Sequence, residues 1–208
     1  MIIDIKETGP MPVNTYILKD ETSKEAVIID LGGSFEEIKL ALDKEGYKIK
    51  FILNTHGHFD HVLGEAHVQK NHPDIPIYMH KGDLSHIQKL KDEMKYFGFE
   101  SGSAELVINN FIDEKSELFI GGSRIKVLET PGHSQGGLSF YIPGALFSGD
   151  ALFYRSIGRT DFYDGSYDTL INSIKTKIFP LPDDTIVYPG HGRSTKIRDE
   201  KTFNEYLN

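Results

Sequence analysis

The chain has 208 residues, of which 38% are hydrophobic and 26% charged, so it can form a sizeable core and lacks the composition of a disordered protein. Its formal net charge of −8 opposes contact with a phosphate backbone, so nucleic-acid binding is not expected. The absence of cysteine excludes disulfides, a thiolate nucleophile and thiolate metal ligands. We find neither the apolar stretch of a signal peptide nor a membrane span, and expect a cytoplasmic protein without membrane contact.

Strand-like and helix-like patterns alternate, which predicts a mixed α/β fold in a single domain over residues 1–208. Helices are predicted at residues 34–42, with Ser34 and Glu37 as a capping box, and at residues 166–178. The charged segment 81–98 is predicted to be an exposed helix and loop. The predicted strands cover residues 15–18, 26–29, 49–53, 75–78, 125–128, 138–142 and 185–188.

The most informative segment is the run of residues 54–61, Asn-Thr-His-Gly-His-Phe-Asp-His, which directly follows a predicted strand. One turn here can present several ligands to the same point, and Gly57 would let the backbone bend tightly. A solvated histidine-rich turn is the alternative interpretation. The candidate ligands in this run are His56, His58, Asp60 and His61.

Three further candidates, His133, Asp150 and His191, each follow an apolar run and adjoin or lie near a glycine. A single such turn is more often only a turn, but ligand-bearing loops at the ends of several strands are a common way to build a metal site. Seven ligands are too many for one tetrahedral ion and suit two ions. One ion would take His56, His58 and His133, and the other Asp60, His61 and His191, with Asp150 between them.

The other histidines and one aspartate have weaker indications of a role. Asp30 ends a predicted strand before two glycines, so it either orients a ligand histidine or caps a turn. The remaining histidines lack a strand-end glycine and are expected to be surface or hydrogen-bonded side chains; they are His67, His72, His80 and His86.

The order and spacing of these ligands, from His56-x-His58-x-Asp60-His61 to His191, resemble those of metallo-β-lactamase superfamily hydrolases, and most of all their glyoxalase II-related branch. The resemblance implies a four-layer αβ/βα sandwich of two mixed sheets flanked by helices. It also implies two divalent metal ions at one edge between the sheets, both bound by Asp150. Zinc is the expected metal, and iron and manganese accept the same ligands.

The branch of the superfamily determines the expected chemistry. Lack of cysteine and of an export signal disfavours antibiotic hydrolysis, and the acidic charge disfavours nucleic-acid cleavage. Full-length glyoxalase II proteins carry a C-terminal helical domain that helps bind glutathione, and we expect none here because few residues follow His191. Arg159 falls where glyoxalase II-like proteins tend to have a substrate-contacting lysine. Arg159 and Tyr154 are therefore the predicted substrate contacts, with pairing of Arg159 to Asp161 as the alternative.

The first functional hypothesis is hydrolysis of a small acyl thioester, such as a lactoyl-thiol conjugate, by a metal-bridging hydroxide, with Asp60 and Asp150 as the catalytic carboxylates. A thiolate leaves without a separate acid, because thiols have a pKa near 8.5. The second hypothesis is a mononuclear iron persulfide dioxygenase that uses His58, His133 and Asp150 as an open face. Another ester or lactone hydrolase and metal-dependent binding without turnover are less favoured. In every case the partner is a small molecule, and the oligomeric state is open.

Overall fold

In the computed structural model, which describes residues 1–99 and 105–208, two six-stranded sheets pack face to face. The first sheet contains, in order, β1 Ile2–Thr8, β2 Val13–Lys19, β3 Glu25–Ile29, β4 Lys48–Leu53, β5 Ile77–Met79 and β6 Asn110–Phe111. The second contains β7 Leu118–Ile120, β8 Ser123–Glu129, β9 Leu138–Ile142, β10 Ala145–Gly149, β13 Ile186–Pro189 and β14 Thr195–Lys196. Between β10 and β13 the chain forms a small hairpin of β11 Leu152–Phe153 and β12 Ser156–Ile157.

The helices lie in the connections between these strands. They are α1 Phe35–Lys44, α2 Phe59–Val62, α3 Glu65–Asn71, α4 Leu84–Gln88, α5 Leu90–Tyr96, α6 Tyr167–Ser173 and α7 Ile197–Phe203. A 3₁₀ turn, Lys81–Asp83, precedes α4, and a π-helical stretch, Ile174–Ile178, continues α6. None of the helices in the described part of the chain is long and apolar enough to cross a membrane.

Both sheets are mixed. In the first, β1, β2 and β3 are antiparallel neighbours, whereas β3 to β6 are parallel. In the second, β10 pairs in parallel with β13 and all other neighbours are antiparallel. The carboxyl ends of parallel neighbours lie at the same edge of a sheet, so the loops that follow β3 and β4 lie side by side, as do those that follow β10 and β13.

The burial of β2 shows how the layers are arranged, because all seven of its residues are buried. Successive side chains of a strand point to opposite faces. Tyr16 and Leu18 pack between the two sheets, whereas Ile17 packs on the outer face, against a cluster that includes Phe35 of α1. On the far side, Leu170 of α6 packs with residues of the second sheet in a third cluster. The fold is therefore helix, sheet, sheet, helix, and the predicted fold class is confirmed.

Two local predictions are wrong. Segment 81–98 is not surface, since Ile87, Leu90 and Met94 are buried against the outer face of the first sheet. Its charged residues lie only on the outer side of two short amphipathic helices. Because they dominate the composition of the segment, the apolar stripe on the inner side was not recognised in the sequence. The capping box of α1 is absent as well: Ser34 has a left-handed backbone and makes no side-chain cap, and Glu37 pairs with Lys6 instead.

The two sheets are joined by hydrogen bonds at the edge where the candidate ligands lie. The N–H of Leu138 donates to the carbonyl of Thr55 at 2.7 Å, and the N–H of Asn14 donates to the carbonyl of Gly190 at 2.7 Å. The Tyr16 hydroxyl adds a third link, to the carbonyl of Pro189 at 2.6 Å. Thr55 and Gly190 each precede a candidate ligand, so these bonds set the positions of loops from both sheets.

A substitution at Phe140 tests the core between the sheets, because this side chain is 0% exposed and packs among residues of both sheets. Replacing it with alanine should lower the free energy of unfolding by about 3–5 kcal/mol, through lost burial and a residual cavity. The matched control is Phe119→Ala, at a side chain that is 40% exposed, and should change the free energy by less than about 1 kcal/mol. Urea denaturation followed by circular dichroism measures both; equal effects would contradict this description of the core.

Candidate metal centre

The structure brings all seven predicted ligands to one edge of the sandwich, at the ends of strands from both sheets. His56, His58, Asp60 and His61 follow β4, whereas His133 follows β8, Asp150 follows β10 and His191 follows β13. Three groups of these residues have ligand atoms that lie within 4.8 Å of one another; one of them, His56, His61 and Asp150, connects the other two. We call them the first half-site, His56, His58 and His133, and the second half-site, Asp60, His61 and His191.

The run after β4 supplies both half-sites because its backbone changes conformation. His58 is extended, with φ −64° and ψ 146°, and directly precedes α2, where Asp60 and His61 lie. Residues two apart on an extended chain point to the same side, which places His56 and His58 together. Gly57 is not in the left-handed region, unlike Gly149 at φ 50°. The backbone forms neither a turn nor a bend at position 57, so the prediction that Gly57 allows a tight bend is wrong.

In the first half-site, three imidazoles converge. Nε2 of His133 lies 2.9 Å from Nδ1 of His58, and the ring of His56 lies 4.7 and 4.8 Å from those of His58 and His133 between centroids. Within the described residues, Nε2 of His56 is buried and has no hydrogen-bond partner. A buried polar atom without a partner is costly, and a metal ion would satisfy it.

The ligand atoms of the second half-site are similarly close to one another. Nε2 of His61 and Nε2 of His191 lie 3.3 Å apart, and Nε2 of His191 lies 3.2 Å from a carboxylate oxygen of Asp60. Two ligands on a tetrahedral ion with bonds of about 2.0–2.1 Å are about 3.3 Å apart. The separations between these ligand atoms therefore fit a single metal ion.

Asp150 lies between the two half-sites. Its carboxylate oxygens lie 3.6 Å from Nε2 of His133 in the first half-site and 3.5 Å from Nε2 of His61 in the second. One of these oxygens, Oδ1, is buried and has no hydrogen-bond partner among the described residues. The position of Asp150 fits the predicted shared ligand.

Oxygen atoms behind the imidazoles orient them. Nδ1 of His133 lies 2.8 Å from the carbonyl of Arg159, and Nδ1 of His191 lies 2.6 Å from the carbonyl of Pro12. Asp30 lies 3.0 Å from Nδ1 of His61, so its position fits the orientation of a candidate ligand histidine, one of the two roles predicted for it. A proton on Nδ1 leaves the lone pair of Nε2 free toward the centre of the site.

Burial and nearby charges shift the pKa values of His56 and His61, one in each half-site, in opposite directions. Burial and the nearby His61 imidazole hold the pKa of His56 well below its usual range. Burial also opposes a charge on His61, but the carboxylates of Asp30, Asp60 and Asp150 outweigh it and raise the pKa of His61 to about 10. Burial would raise the pKa of Asp60, but His61 and His191 lower it to about 2.

A cavity of about 710 Å³ opens onto the candidate ligands. Part of its wall is aromatic and comes from residues outside the ligand loops, among them Tyr96 and Phe97 at the end of α5 and Phe162 and Tyr163 from the segment before α6. Cavities of this size accommodate small organic molecules. The apolar wall suits an organic molecule, and several candidate ligands line the same cavity.

The predicted substrate contacts have different positions. Arg159 lines the cavity, but its guanidinium is held by two hydrogen bonds of 2.9 Å to Asp161 and lies over the ring of Phe162. Tyr154 is absent from the described residues that line the cavity, and its ring is covered by the guanidinium of Arg193 at 3.5 Å. The structure therefore does not support Tyr154 as a substrate contact.

A network of buried side chains next to the first half-site was not predicted from the sequence. His86 is buried, with Nδ1 2.5 Å from Glu93 and Nε2 2.9 Å from Asp164, and its ring packs edge-on against His58. Asp83 is also fully buried there. Both residues lie in segment 81–98. The apolar stripe of this segment is the sequence signal that predicts its burial, and burial of the segment would have pointed to these two residues.

The three remaining histidines agree with the predicted ordinary roles. His67 and His72 both pair with Glu36 on the surface, at 2.6 and 2.8 Å. Nδ1 of His80 accepts a hydrogen bond from the N–H of Gly82 at 3.1 Å and caps the 3₁₀ turn.

Replacing Asp150 with alanine should weaken metal binding at both half-sites, because both lose a ligand. Loss of a residue that only orients a ligand costs about 10–100-fold in affinity, so we expect a larger loss here, of more than about 100-fold. Competition with a chromophoric chelator measures it. The matched control is Asp161→Ala, an exposed carboxylate at the cavity wall, which should keep wild-type metal content. Wild-type metal content in the Asp150 variant would rule out a shared ligand.

The two half-sites should differ in their dependence on pH. At pH 7 the metal-free protein carries a proton on His61, whose pKa is raised to about 10, whereas His56 is neutral. A metal ion must displace that proton, so affinity at the second half-site should fall about tenfold for each unit of pH lowered, and affinity at the first should change little near neutrality. Calorimetry in buffers of different ionisation enthalpy counts the protons released. Equal release in both binding steps would contradict this expectation.

Comparison with known proteins gives the family. The model of the metallo-beta-lactamase superfamily matches residues 8–191. Hydroxyacylglutathione hydrolase GloC of Haemophilus influenzae is 37% identical over 211 residues, covering 100% of this chain and 99% of GloC. Among solved structures, the BLEG-1 B3 metallo-beta-lactamase has a TM-score of 0.87 and 36% identity, with 100% of both chains covered. TTHA1623 in a di-iron-bound form has a TM-score of 0.86 and 33% identity, with 98% of this chain and 100% of that chain covered. The chain belongs to the metallo-β-lactamase superfamily.

Proposed function

We propose that the protein is a binuclear metal-dependent hydrolase that cleaves a small acyl thioester of the lactoyl-thiol type. The observation that carries the proposal is the position of Asp150, 3.6 Å from His133 of one half-site and 3.5 Å from His61 of the other. Similarity to hydroxyacylglutathione hydrolase GloC along the whole chain supports the thioester class. We propose zinc as the metal, while the similarity to a di-iron-bound protein supports iron as the alternative.

The protein residues would hold two ions and balance their charge. Divalent ions bound at the two half-sites would supply a hydroxide nucleophile at neutral pH and positive charge for the developing oxyanion. Asp60 and Asp150 would supply negative charge beside them, and the other five proposed ligands are imidazoles that bind as neutral groups. Asp30 and two backbone carbonyls keep three of those imidazoles in fixed orientations, so little reorganisation is needed when the site is filled.

The cavity would position the acyl group and exclude water from it. Aromatic side chains such as Phe162 and Phe97 form an apolar wall beside the ligands. A thiolate leaves readily, because thiols have a pKa near 8.5, so the mechanism needs no side chain as a general acid. This accounts for a proposed catalytic set that consists only of metal ligands.

Arg159 would bind a carboxylate of the substrate by exchanging its partner. In the structure its guanidinium pairs with Asp161, and both side chains are more than half exposed at the cavity wall. A substrate carboxylate could therefore replace Asp161 as a bidentate partner without leaving a buried charge unpaired. The two alternatives that the sequence left open are then compatible. Arg159 would pair with Asp161 before the substrate binds and with the substrate carboxylate afterwards.

Replacing Arg159 with alanine should raise KM for a carboxylate-bearing thioester about five- to twentyfold and leave kcat within about twofold, since a binding contact is lost. Steady-state kinetics with a charged and an uncharged acyl thioester measure the effect. The control is Arg198→Ala, an exposed arginine that pairs with Asp184 at 2.9 Å and should leave both constants unchanged. Equal KM values for wild type and the Arg159 variant would make this arginine structural.

Metal analysis and parallel assays test the proposed function against its rivals. Two zinc ions per chain with turnover of a lactoyl thioester would support it. One iron per chain with oxygen uptake on a persulfide would instead support the mononuclear dioxygenase, for which the first half-site and Asp150 provide enough ligands. A β-lactam belongs in the same panel because of the similarity to BLEG-1, and turnover of it would contradict the expectation against antibiotic hydrolysis.

A further inference from the structure

Asp83 is a buried carboxylate that the proposed mechanism does not use. It ends the 3₁₀ turn before α4, far in sequence from the candidate ligands, and is 0% exposed. A carboxylate is costly to bury unless donors satisfy its oxygens. The identity of those donors therefore indicates what Asp83 does.

The donors to Asp83 come from two loops that carry candidate ligands. The N–H of Gly57 donates to Oδ2 at 2.8 Å, and the hydroxyl of Ser134 donates to the same oxygen at 2.7 Å. The N–H of Gly136 donates to Oδ1. One side chain thus holds the loop after β4 and the loop after β8 through charge-assisted hydrogen bonds.

The two glycines in these loops are packed against Asp83. A Cβ at position 136 would lie 2.6 Å from both Oδ1 and the backbone nitrogen of Asp83, closer than real side chains approach. A Cβ at position 57 would lie 3.0 Å from Cβ and the carbonyl oxygen of Asp83. Glycine at both positions allows the backbone N–H groups to reach the carboxylate.

These contacts concern the first half-site. Gly57 lies between His56 and His58, and Ser134 follows His133. Asp83 therefore joins the two chain segments that supply all three imidazoles of this half-site. The contacts that orient the second half-site come from elsewhere, since His61 faces Asp30 and His191 faces the carbonyl of Pro12.

We propose that Asp83 is the positioning residue of the first half-site, where it sets the distance between the loop of His56 and His58 and the loop of His133. The inference rests on the proposed metal-dependent function. With the carboxylate in place, the three imidazoles lie close together before a metal ion binds. Without it, the two loops keep the hydrogen bond from Leu138 to Thr55 but gain conformational freedom, and the cost of ordering them reduces the affinity for the ion.

The experiment is a Zn²⁺ titration of the full chain against a chromophoric chelator, with Co²⁺ absorption spectra as a second measurement. Asp83→Asn keeps the size of the side chain but cannot accept from all three donors, so it should weaken one of two metal equivalents about 10–100-fold. The other equivalent should keep wild-type affinity, and only one set of Co²⁺ bands should change. Ser134→Ala removes one donor and should weaken the same equivalent by a smaller factor.

Glu200→Gln is the matched control. Glu200 is also 0% exposed and accepts three hydrogen bonds, from the N–H of Arg155, the Thr195 hydroxyl and the Asn204 amide, but none of these residues is next to a candidate ligand. Glu200→Gln should lower the melting temperature about as much as Asp83→Asn does, while both metal affinities stay at wild-type values. It therefore separates general loss of stability from loss of position.

The outcomes separate this inference from the proposed function. Unchanged affinities in Asp83→Asn, or equal weakening of both equivalents, would overturn the positioning role. Wild-type protein that binds no metal would overturn both proposals. Wild-type protein that binds one ion would contradict the binuclear function, and weakening of that ion by Asp83→Asn would still support this inference.

Discussion

The candidate site depends on the alignment of two separate sheets at one edge. The backbone hydrogen bonds from Leu138 to Thr55 and from Asn14 to Gly190 fix that alignment next to His56 and His191. Hydrogen bonds are short and directional, so they fix the relative position of the two strand ends, whereas apolar packing is non-directional. A shift of one sheet against the other would separate His133, Asp150 and His191 from the ligands that follow β4.

Electrostatics explains why the two half-sites are built from different ligands. The second half-site is surrounded by Asp30, Asp60 and Asp150, so it attracts positive charge, and the raised pKa of His61 reflects the same attraction. The first half-site contains only imidazoles, and burial lowers the pKa values of His56 and His58, so the nitrogen lone pairs of these two residues are free at neutral pH. Asp150 lies between an electrostatically attractive half-site and a neutral one.

The sequence predicted which candidate ligands lie together because their signal is local. Each lies just after a strand, and four of them fall within six residues. The fold class followed from alternating strand and helix patterns together with the family resemblance. Contacts between distant segments could not be predicted in this way. Asp83 and His86 belong to short helices whose charged outer side hid their burial, and nothing near Asp83 in sequence indicates that its partners are at positions 57 and 134.

Other misses arise from competition between local and tertiary contacts. Ser34 and Glu37 have the spacing of a capping box, but Lys6 of the neighbouring strand takes Glu37, and the backbone of Ser34 is left-handed. Gly57 was expected to let the backbone bend tightly, whereas in the structure Asp83 packs against it and leaves little room for a side chain. Tyr154 was a predicted substrate contact, but the guanidinium of Arg193 covers its ring, and Tyr154 is not among the described residues that line the cavity.

The origin of the cavity wall bears on how such a protein can change its substrate. Tyr96 and Phe97 come from the end of α5, and Phe162 and Tyr163 from the segment before α6, so these aromatic side chains lie outside the runs that carry the candidate ligands. Substitutions there would reshape the space beside the reacting end while the ligand loops keep their sequence. Selectivity for small molecules can therefore change from one related protein to another at positions that carry no candidate ligand.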